Sequence, residues 1–423
     1  MLIAGDTFPP DVNGAAKFTE NLASGMAGRG HDVHVVVPAS SRRHGTGFED
    51  YGGQRVTVHR LPSYRWPPHD WLRFVLPWRA RTHCTRILDL VKPDVVHFQS
   101  AVVIGRAVAI EAERRGIRLI GTNHLMIENV IEHTLLPNAL RPLLARLWWA
   151  DARKTLLRAS AVTTPTRRAA EFLMEVGGLE NVLAISCGIR VGDYTAGFGE
   201  KPERRVLFVG RVTGEKHIDV LLQAMTRLGD IGARLDVAGG GDLLKHLEHQ
   251  ARSLGLANRA TFHGYVSDEE LRRLYTESSV FAMPSIAELQ SIATMEAMAS
   301  GLPVVAANAM ALPHLVHNGE NGYLFEPGDA DDLANRLRQV LTMPLSERNE
   351  LGRESLRLVQ MHDIDRTLEL FERLYRGEPA SAVARDSVNE QDRSLDGAPR
   401  TGTIQLPRRD DESGTGAQRD PHS

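Results

Sequence analysis

The sequence predicts an α/β protein with two doubly wound domains that face a cleft. Short apolar segments alternate with helical segments along most of the chain, and this alternation is interrupted once, near residue 188, before it resumes. Strands that alternate with helices form a parallel sheet covered by helices on both faces. A chain of 423 residues is long enough for two such domains.

The first half, residues 1–188, is predicted to form one domain. Its predicted strands cover 2–6, 32–38, 57–61, 95–99, 119–123 and 161–165. Its predicted helices cover 14–29, 78–91, 102–115, 138–159 and 166–176. The opening segment MLIAGD is short for a central parallel strand, so we expect translation to start some codons upstream.

Residues 189–204 are rich in glycine, charge and turn-forming residues and are predicted to be a linker. The second domain is predicted at 205–376. Its strands are expected at 206–211, 234–242, 260–266, 280–285, 301–307 and 322–329. Its helices are expected at 217–228, 243–254, 268–276, 331–342 and 346–376, with one more in the segment that contains 288–296. The last helix is expected to return toward the first domain, and 377–423 is predicted to be a disordered tail because few of its residues are large and apolar.

Composition argues against several classes of function. The formal net charge is −3, so no global basic charge indicates nucleic acid as a partner. Cys84 and Cys187 are the only cysteines, which argues against a disulfide framework and fits a cytoplasmic protein. The sequence contains no apolar run of 18 residues and no secretory signal, so no spanning helix is predicted.

The segment ELQSIATME, from Glu288 to Glu296, places two carboxylates around the start of a predicted helix. Eight helical residues span about 12 Å, which is roughly the distance from the sugar ring to the ribose of a sugar nucleotide. The helix N-terminus between them offers unpaired N–H groups to a diphosphate. We therefore expect Glu288 to contact a hexose and Glu296 a ribose, although an exposed helix face can show the same spacing.

Two cations, Arg211 and Lys216, follow a predicted strand in GRVTGEKHID, where open α/β sheets bind ligands. Arginine can hold a diphosphate by paired hydrogen bonds and lysine as a point charge, and both would stabilise a departing nucleoside diphosphate. A solvated surface pair is the alternative. His124, in GTNHLMIEN, also follows a strand and suits a general base, a hydrogen-bond donor to a sugar or an ordinary loop residue.

Three glycine-containing or capped turns complete the candidate site. Gly14 opens the helix after TFPPDVN, where backbone can approach a phosphate or sugar closely. The turn VAGGGD contains Gly239 and Gly241, and Val266 precedes a helix for which Ser267 is the predicted N-cap. Each of these turns is also compatible with an ordinary connection between a strand and a helix.

Taken in order, these motifs resemble those of family 4 of the retaining glycosyltransferases. The stretch PSIAELQSIATMEAMASGLPVVA is similar to the family signature, and Arg211 and Lys216 match the cations of its G-R-x-x-x-E-K motif. The resemblance covers roughly residues 1–376 and implies a GT-B fold, with two Rossmann-like domains facing a cleft. It implies transfer of a hexose, with mannose or glucose favoured, from a GDP- or UDP-sugar, with formation of an α-glycosidic bond.

The resemblance also implies a role for each candidate residue. It implies that His124, Arg211, Lys216 and Glu288 form the catalytic set. It implies that the donor is bound by Gly14, Arg211, Lys216, Gly239, Gly241, Val266, Glu288, Leu289, Gln290, Ser291 and Glu296, with the glycines giving clearance to the nucleotide. The chain departs from the family pattern at Asn13, where many members have glycine, and at Glu-Leu-Gln-Ser, where many have Glu-x-Phe-Gly.

The expected mechanism has attack and departure on one face of the sugar, because no residue is an obvious covalent nucleophile. The leaving phosphate would help to deprotonate the acceptor. No metal or other cofactor is expected, because the sequence shows no His/Cys ligand spacing and no Asp-x-Asp at a strand end. Arg211, Lys216 and a helix N-terminus would balance the diphosphate charge instead.

The segment 65–86 interleaves aromatic and basic residues, as interfacial membrane segments do. Its aromatic residues include Trp66, Trp71, Phe74 and Trp78. A loop and helix packed on the first domain is the alternative, and for the basic stretch 139–159 a core-facing helix is favoured. Together they favour a membrane glycolipid acceptor and a peripheral position on the inner face of the plasma membrane.

Other functions are also compatible with the sequence. The acceptor could be a soluble sugar phosphate or a glycan. A sugar-nucleotide epimerase of the same fold would release free nucleotide without an acceptor. A non-catalytic module that binds a sugar nucleotide or a membrane is a different class, and the presence of both a phosphate clamp and a sugar carboxylate argues against it. The oligomeric state is left open.

Overall fold

Two sheets, one in each half of the chain, form the framework of the protein in a computed structural model. The structure describes residues 1–66, 69–125 and 141–387, all of which belong to one compact unit. The first half contains strands β1 (Leu2–Ala4), β2 (His34–Pro38), β3 (Gly45–Tyr51), β4 (Gln54–Leu61), β5 (Tyr64–Trp66), β6 (His69–Phe74), β7 (Val95–Phe98), β8 (Arg118–Thr122), β9 (Ala161–Thr164) and β10 (Leu183–Ala184).

The first sheet has eight strands in the order β10-β9-β8-β7-β1-β2-β4-β3. All neighbours are parallel except β3, which runs antiparallel to β4, while β5 and β6 form a separate antiparallel hairpin. Along β1, Leu2 and Ala4 belong to one apolar core and Ile3 to another, because successive side chains point to opposite faces. The central strand is therefore buried on both sides, as in doubly wound folds.

Five described helices accompany this sheet. They are α1 (Gly14–Gly28), α2 (Pro77–Val91), α3 (Ile104–Arg114), α4 (Arg141–Leu156) and α5 (Arg167–Gly177). Asn13 caps α1, because its Oδ1 atom accepts a hydrogen bond from the backbone N–H of Ala16 at 2.9 Å. This cap gives a physical reason for asparagine at a position where the family often has glycine.

The second sheet has six parallel strands in the order β13-β12-β11-β14-β15-β16. They are β11 (Arg205–Val209), β12 (Arg234–Ala238), β13 (Ala260–Gly264), β14 (Val280–Met283), β15 (Val304–Ala307) and β16 (Gly322–Phe325). The helices between them are α6 (Ile218–Thr226), α7 (Leu244–Ser253), α8 (Asp268–Glu277) and α9 (Ile292–Ala299), and α10 (Ala330–Thr342) follows β16. The strand order reverses between β11 and β14, which is the point where such sheets bind ligands.

The expected single helix at 346–376 is wrong. The segment forms α11 (Leu345–Val359), a 3₁₀ turn (Gln360–His362) and α12 (Ile364–Arg376). Asp363 separates the last two and caps α12, since its Oδ1 atom accepts a hydrogen bond from the N–H of Asp365 at 2.9 Å. An aspartate in extended backbone satisfies the helix start and ends the preceding turn.

Disorder from residue 377 onward is also wrong in its first part, because α13 (Ala380–Asp386) follows. Val383 is fully buried in the core that lies beside β1, and the Ser387 hydroxyl donates a hydrogen bond to the carbonyl of Ala184. One buried apolar side chain and this hydrogen bond therefore hold a segment whose composition predicts that it has no core of its own. Residues 388–423 of the predicted tail lie outside the described residues.

The final helices pack on the first half of the chain. The hydroxyl of Tyr375 in α12 lies 2.7 Å from His97 Nδ1, and Arg118 Nε donates to the carbonyl of Leu374 at 2.7 Å. The chain passes between the two halves twice, once near residue 189 and once near residues 362–364. The backbone of Ile189 pairs with that of residues 362–364, so these two chain crossings run side by side. Among the described helices, none is long and apolar enough to cross a bilayer.

Candidate functional site

A cavity of about 340 Å³ lies between the loops that follow the strands of the two sheets. Asp6 and Asn13 line it from the loop after β1, and Arg73 lines it from the β5–β6 hairpin. Arg211 and Gly241 line it from the loops after β11 and β12. Both halves of the chain therefore contribute charged walls to one cleft.

An ion pair between Lys216 and Glu288 lies at the reversal of strand order in the second sheet. Lys216 Nζ contacts Glu288 Oε1 and thereby joins the loop after β11 to the loop after β14. The side chains are only 13% and 9% exposed, so their charges meet largely away from bulk water. The structure thus brings together two predicted site residues that are far apart in sequence.

Arg211 is oriented by Glu215. Arg211 Nη2 lies 3.2 Å from Glu215 Oε1, and the Thr213 hydroxyl donates to the same oxygen at 2.7 Å. Burial opposes ionisation of Glu215, but the charge of Arg211 and the Thr213 hydrogen bond hold the pKa of Glu215 below its usual value. The carbonyl of Glu215 accepts hydrogen bonds from Ser285 Oγ at 3.2 Å and Ile286 N–H at 3.1 Å, which fixes this loop to the one after β14.

The helix expected around 288–296 starts only at Ile292. Ser291 caps it, with Oγ 3.4 Å from the backbone nitrogen of Thr294 and 2.8 Å from its hydroxyl. Glu288 therefore lies in the preceding loop, and the spacing of about 12 Å expected from continuous helical rise does not apply. The helix N-terminus itself is placed between the two glutamates, as the sequence predicts.

Glu296 lies inside α9 and is almost fully buried, with 8% of its surface exposed. The hydroxyl of Tyr275 donates to its Oε2 atom at 3.0 Å, and the hydroxyl of Tyr194 lies near the same carboxylate. Burial raises the pKa of Glu296, while the two tyrosine hydroxyls act in the opposite direction. A carboxylate has about four acceptor positions, so Tyr275 leaves others available to a ligand.

The loop after β14 is attached to the first half of the chain by Leu289 and Gln290. The carbonyl of Leu289 accepts a hydrogen bond from Thr166 Oγ1 at 2.9 Å. Gln290 Oε1 accepts from the backbone N–H of Cys187 at 2.7 Å, and Gln290 Nε2 donates to Ser186 Oγ at 2.9 Å. The glutamine that departs from the family pattern therefore bridges the two halves.

His124 lies beside this bridge. Its Nε2 atom is 3.0 Å from Gln99 Oε1, its Nδ1 atom is 3.9 Å from Cys187 Sγ, and its ring lies against Phe18. Burial lowers the pKa of His124 to about 3, so the imidazole is neutral near pH 7. This geometry favours a neutral hydrogen-bonding role over strong general-base action.

The N-terminus of α1 faces the N-terminus of α9. A methyl group placed on Gly14 would lie 3.7 Å from Ile292 Cδ1, so the first residues of the two helices are in near contact. Helix N-termini carry partial positive charge and unpaired N–H groups. Two of them directed at one region, together with Lys216 and Arg211, make a favourable environment for a diphosphate.

Two family models divide the chain between them. The model described as Glycosyltransferase Family 4 matches residues 12–192, and the model described as Glycosyl transferases group 1 matches residues 196–374. The chain belongs to the family 4 GT-B glycosyltransferases. The family and the α/β fold of two Rossmann-like domains predicted from the sequence are thereby confirmed.

Several curated glycosyltransferases are similar to this one. A sulfoquinovosyl transferase of Arabidopsis thaliana is 29% identical over 78% of this chain, which spans 64% of the plant protein. A GDP-mannose-dependent alpha-mannosyltransferase of Mycobacterium tuberculosis is 26% identical over 85% of this chain and 91% of its own. The alpha-monoglucosyldiacylglycerol synthase of Streptococcus pneumoniae is 23% identical over 79% of this chain and 77% of its own.

Solved structures share the fold of this glycosyltransferase. A sucrose-phosphate synthase from Thermosynechococcus elongatus superposes with a TM-score of 0.72 at 20% identity, covering 89% of this chain and 98% of that one. The Anabaena protein HepE, solved in complex with UDP and glucose, superposes with a TM-score of 0.70 at 18% identity over 89% of this chain and 99% of its own. At these identities the likeness supports the fold alone.

The glycines of the β12 turn have a packing reason beside the expected clearance for a nucleotide, which stays a prediction. A methyl group on Gly239 would lie 1.9 Å from the carbonyl oxygen of Gly210, and one on Gly241 would lie 2.3 Å from that of Val212. The requirement for glycine is therefore contact with the backbone that carries Arg211, in addition to any nucleotide. The N–H of Val212 donates to the carbonyl of Gly240 at 2.9 Å, which holds the two loops together.

Val266 is half-buried after β13 and packs against the apolar core of the second sheet. The predicted cap of the following helix is confirmed, because Ser267 Oγ accepts a hydrogen bond from Glu270 N–H at 3.2 Å. The base contact expected at Val266 stays a prediction. Within the described ranges, no group of three or more His, Cys, Asp and Glu side chains is placed to hold a metal ion.

Sequence reasoning missed five residues that shape the site: Asp6, Ser186, Tyr194, Glu215 and Tyr275. Glu215 belongs to the G-R-x-x-x-E-K motif, so the motif itself carried the signal. Asp6 follows β1 and accepts hydrogen bonds from Ser100 Oγ and from Ile104 N–H. Its position at the end of a strand could have indicated a site residue. Nothing in the neighbouring sequence indicates the other three, since their partners are distant in sequence.

Proposed function

We propose that this glycosyltransferase transfers a hexose, mannose or glucose, from a GDP- or UDP-sugar to an acceptor with retention of configuration, forming an α-glycosidic bond. The observation that carries the proposal is the buried Lys216–Glu288 ion pair at the reversal of strand order. Arg211 is paired with Glu215, the residue before Lys216, and the N-termini of α1 and α9 lie close to each other. A diphosphate and a sugar both find their chemical partners there.

Donor binding exchanges the partner of Lys216 in this proposal. The diphosphate takes the ammonium group of Lys216 and the guanidinium of Arg211, which Glu215 holds in place. Glu288 is then released to accept hydrogen bonds from hexose hydroxyls. Lys216 therefore never loses its partner when the donor binds, because phosphate oxygens replace the carboxylate of Glu288.

The ribose is assigned to Glu296. The hydroxyl of Tyr275 holds its carboxylate and leaves acceptor positions for the 2′- and 3′-hydroxyls. Burial in this position excludes water, so each hydrogen bond to the ribose gains strength. An acidic residue serves the same purpose in dinucleotide-binding folds.

The transition state is oxocarbenium-like, as in glycoside chemistry generally. The bond from the anomeric carbon to the donor phosphate oxygen breaks while the acceptor hydroxyl approaches from the same face. The departing phosphate oxygen takes the acceptor proton, and Arg211 and Lys216 stabilise its negative charge. His124, neutral near pH 7, orients the hexose, and neither a metal nor another cofactor takes part.

The acceptor is proposed to be a membrane glycolipid, and the enzyme to associate peripherally with a membrane. One relative is a synthase of monoglucosyldiacylglycerol, which is a lipid product. Trp78 at the start of α2 is 66% exposed, and Leu143 and Leu147 on one face of α4 are 57% and 60% exposed. The opposite face of α4 carries the buried Trp149, so this helix is core-facing and also presents an apolar outer stripe.

Vesicle cosedimentation tests the membrane proposal. Anionic vesicles should sediment the wild type, and Trp78→Ala should reduce the bound fraction because an interfacial anchor is lost. Leu90→Ala is the matched control, since Leu90 is 77% exposed at the other end of the same helix. Equal sedimentation of wild type and Trp78→Ala would contradict the proposed membrane contact.

The transfer itself is tested with GDP-mannose and UDP-glucose in the presence of membrane lipids. We expect a glycolipid product whose anomeric signal in NMR is α. A β-linked product would contradict retention. Release of free nucleotide without any acceptor would instead support the epimerase alternative.

A further inference from the structure

A second cavity, of about 470 Å³, lies at the opposite end of the second sheet from the cleft. It is formed beside the first residues of β11, β12 and β14, where the linker residues 200–204 pass the loops at 231–234 and 341–348. We call it the linker cavity. Ligands of doubly wound sheets bind at the carboxyl ends of strands, so this cavity is separate from the site proposed for the donor.

Three cations line the linker cavity, and the hydrogen bonds described for their side chains go to backbone carbonyl groups. Arg204 donates from Nε to the carbonyl of Leu341 at 3.2 Å and from Nη1 to that of Ile231 at 3.1 Å, which leaves its Nη2 hydrogens available. Lys201 donates to the carbonyl of Thr276 and keeps two further N–H groups. Arg348, half-buried in the first turn of α11, completes the set.

The two carboxylates of the linker cavity form no ion pair with these three cations. Glu203 is engaged by Arg205 at 2.6 Å and by Arg234 at 3.0 Å. Glu200 is exposed to solvent. In the part of the chain that the structure describes, none of Lys201, Arg204 and Arg348 forms an ion pair with a carboxylate.

The clustering of these cations costs free energy. Burial lowers the pKa of Arg348, and the nearby charge of Arg204 lowers it further, while the charge of Glu200 offsets part of this. Burial likewise lowers the pKa of Lys201, with a further contribution from Arg348 and a smaller opposing one from Glu277. The first turn of a helix also disfavours a positive charge because of the helix dipole. A multivalent anion in the cavity would relieve all of these unfavourable interactions at once.

We propose that the linker cavity binds a small phosphate-bearing anion through Lys201, Arg204 and Arg348. The guanidinium groups match phosphate oxygens by paired hydrogen bonds, and the lysine adds a point charge. Because residues 200–204 belong to the connection between the sheets, an occupied cavity also fixes the end of that connection. The phosphate group belongs either to a free small molecule or to a lipid headgroup.

Calorimetric titration with inorganic pyrophosphate tests this proposal. The full chain carries Lys216→Met in every sample, so that a phosphate-binding cation of the cleft is absent. Arg348→Met and, separately, Arg204→Met should each weaken pyrophosphate binding by about tenfold or more, since each removes a charge-assisted hydrogen bond. Arg353→Met is the matched control: it lies on the same helix, removes the same charge and contacts the ring of Phe198.

Thermal unfolding gives an independent readout that checks folding as well. Without the anion, Arg348→Met should unfold no earlier than the Arg353→Met control, because a repulsive cation has been removed. Pyrophosphate should raise the unfolding temperature of the control and not that of Arg348→Met. If Arg348→Met binds weakly because it is partly unfolded, its unfolding temperature without the anion would be lower than that of the control. In that case the comparison of Arg204→Met with the control tests the proposal.

Cosedimentation with phosphatidylglycerol vesicles distinguishes the source of the phosphate. Loss of sedimentation in Arg348→Met, with the Arg353→Met control unaffected, identifies a lipid headgroup. Pyrophosphate binding that depends on Arg348, without an effect on sedimentation, identifies a free small molecule. Identical behaviour of Arg348→Met and Arg353→Met in titration, unfolding and sedimentation would overturn the proposal.

Discussion

The side chain of Gln290 accepts a hydrogen bond from the backbone N–H of Cys187 at 2.7 Å and so ties the loop after β14 to the other half of the molecule. Its amide nitrogen donates to Ser186 Oγ at 2.9 Å. Ser186 Oγ also lies 3.0 Å from His362 Nδ1, and the Ser186 carbonyl accepts from Thr367 Oγ1 at 3.0 Å. One short segment thus connects the proposed donor loop with both chain crossings.

We predict that Gln290→Ala raises the donor KM and lowers kcat, because Cys187 N–H and Ser186 Oγ lose their partner and the halves are less firmly closed. A lost buried hydrogen bond costs roughly 1–3 kcal/mol, or about 5- to 150-fold in kcat/KM if it acts only on closure. Steady-state kinetics with the identified donor measures the changes in KM and kcat. Gln223→Ala, on the exposed surface of α6, is the control, and kinetics equal to those of the control would contradict the closing role.

The Lys216–Glu288 pair predicts non-additive kinetics. Lys216→Met should reduce kcat by about 10²- to 10³-fold, as expected when one preorganised electrostatic group is lost. Glu288→Gln should also reduce kcat, and the double variant should lose much less than the product of the two, since each single change leaves a buried charge without its partner. Lys245→Met, on the exposed face of α7, controls for loss of charge. Fully additive losses would show that the two residues act separately.

His97 predicts a pH dependence of stability. Burial lowers its pKa to about 3 from an ordinary value near 6.5, and it lies fully buried between Tyr375 and Thr122. The unfolded chain therefore binds more protons between pH 6.5 and 3, so stability falls as the pH drops through that window. At pH 5 the cost for this one histidine is about 2 kcal/mol.

Thermal unfolding at pH 7 and pH 5 measures the effect. The difference between the two unfolding temperatures should be smaller in His97→Gln than in wild type, whereas the exposed control His246→Gln should match wild type. An unchanged difference in His97→Gln would exclude His97 as a source of the acid sensitivity.

We predict that a larger residue in the turn after β12 lowers both the stability and the activity of the protein. In Gly241→Ala, the new methyl group would meet the backbone of Val212 at 2.3 Å, so the loop that carries Arg211 must shift. We expect a destabilisation of about 1–3 kcal/mol and a reduced kcat/KM. Gly192→Ala, where the same group meets open space, should be neutral in unfolding and kinetic assays. A neutral Gly241→Ala would remove the packing reason for this glycine.

Local sequence was informative wherever one segment carries the whole signal. The six strands of the second sheet were recognised because buried parallel strands are continuous apolar runs, such as Val304–Ala307. Ser267 was recognised as a cap because the cap and the backbone N–H that donates to it lie three residues apart. The position of Arg211 and Lys216 after β11 followed from the general location of sites in doubly wound sheets.

What local sequence did not give are contacts between distant segments. Lys216 and Glu288 are 72 positions apart, and Gln290 and Cys187 are 103 apart, so no periodicity reports either contact. Helix α13 was missed for the same reason, since Val383 is held by a core built mostly from the first half of the chain. The exposed strand β3 was missed because it has no apolar pattern and is defined by pairing with β4.

The central claim is that Glu288, Glu296 and the two cations form a nucleotide-sugar site. Calorimetric titration of UDP, GDP and ADP into wild type, Glu296→Ala and the exposed control Glu347→Ala tests it most directly. We predict that one nucleotide binds selectively, that Glu296→Ala binds it about tenfold or more weakly, and that Glu347→Ala matches wild type. Absence of binding by all three nucleotides, or equal affinity in wild type and Glu296→Ala, would contradict the account.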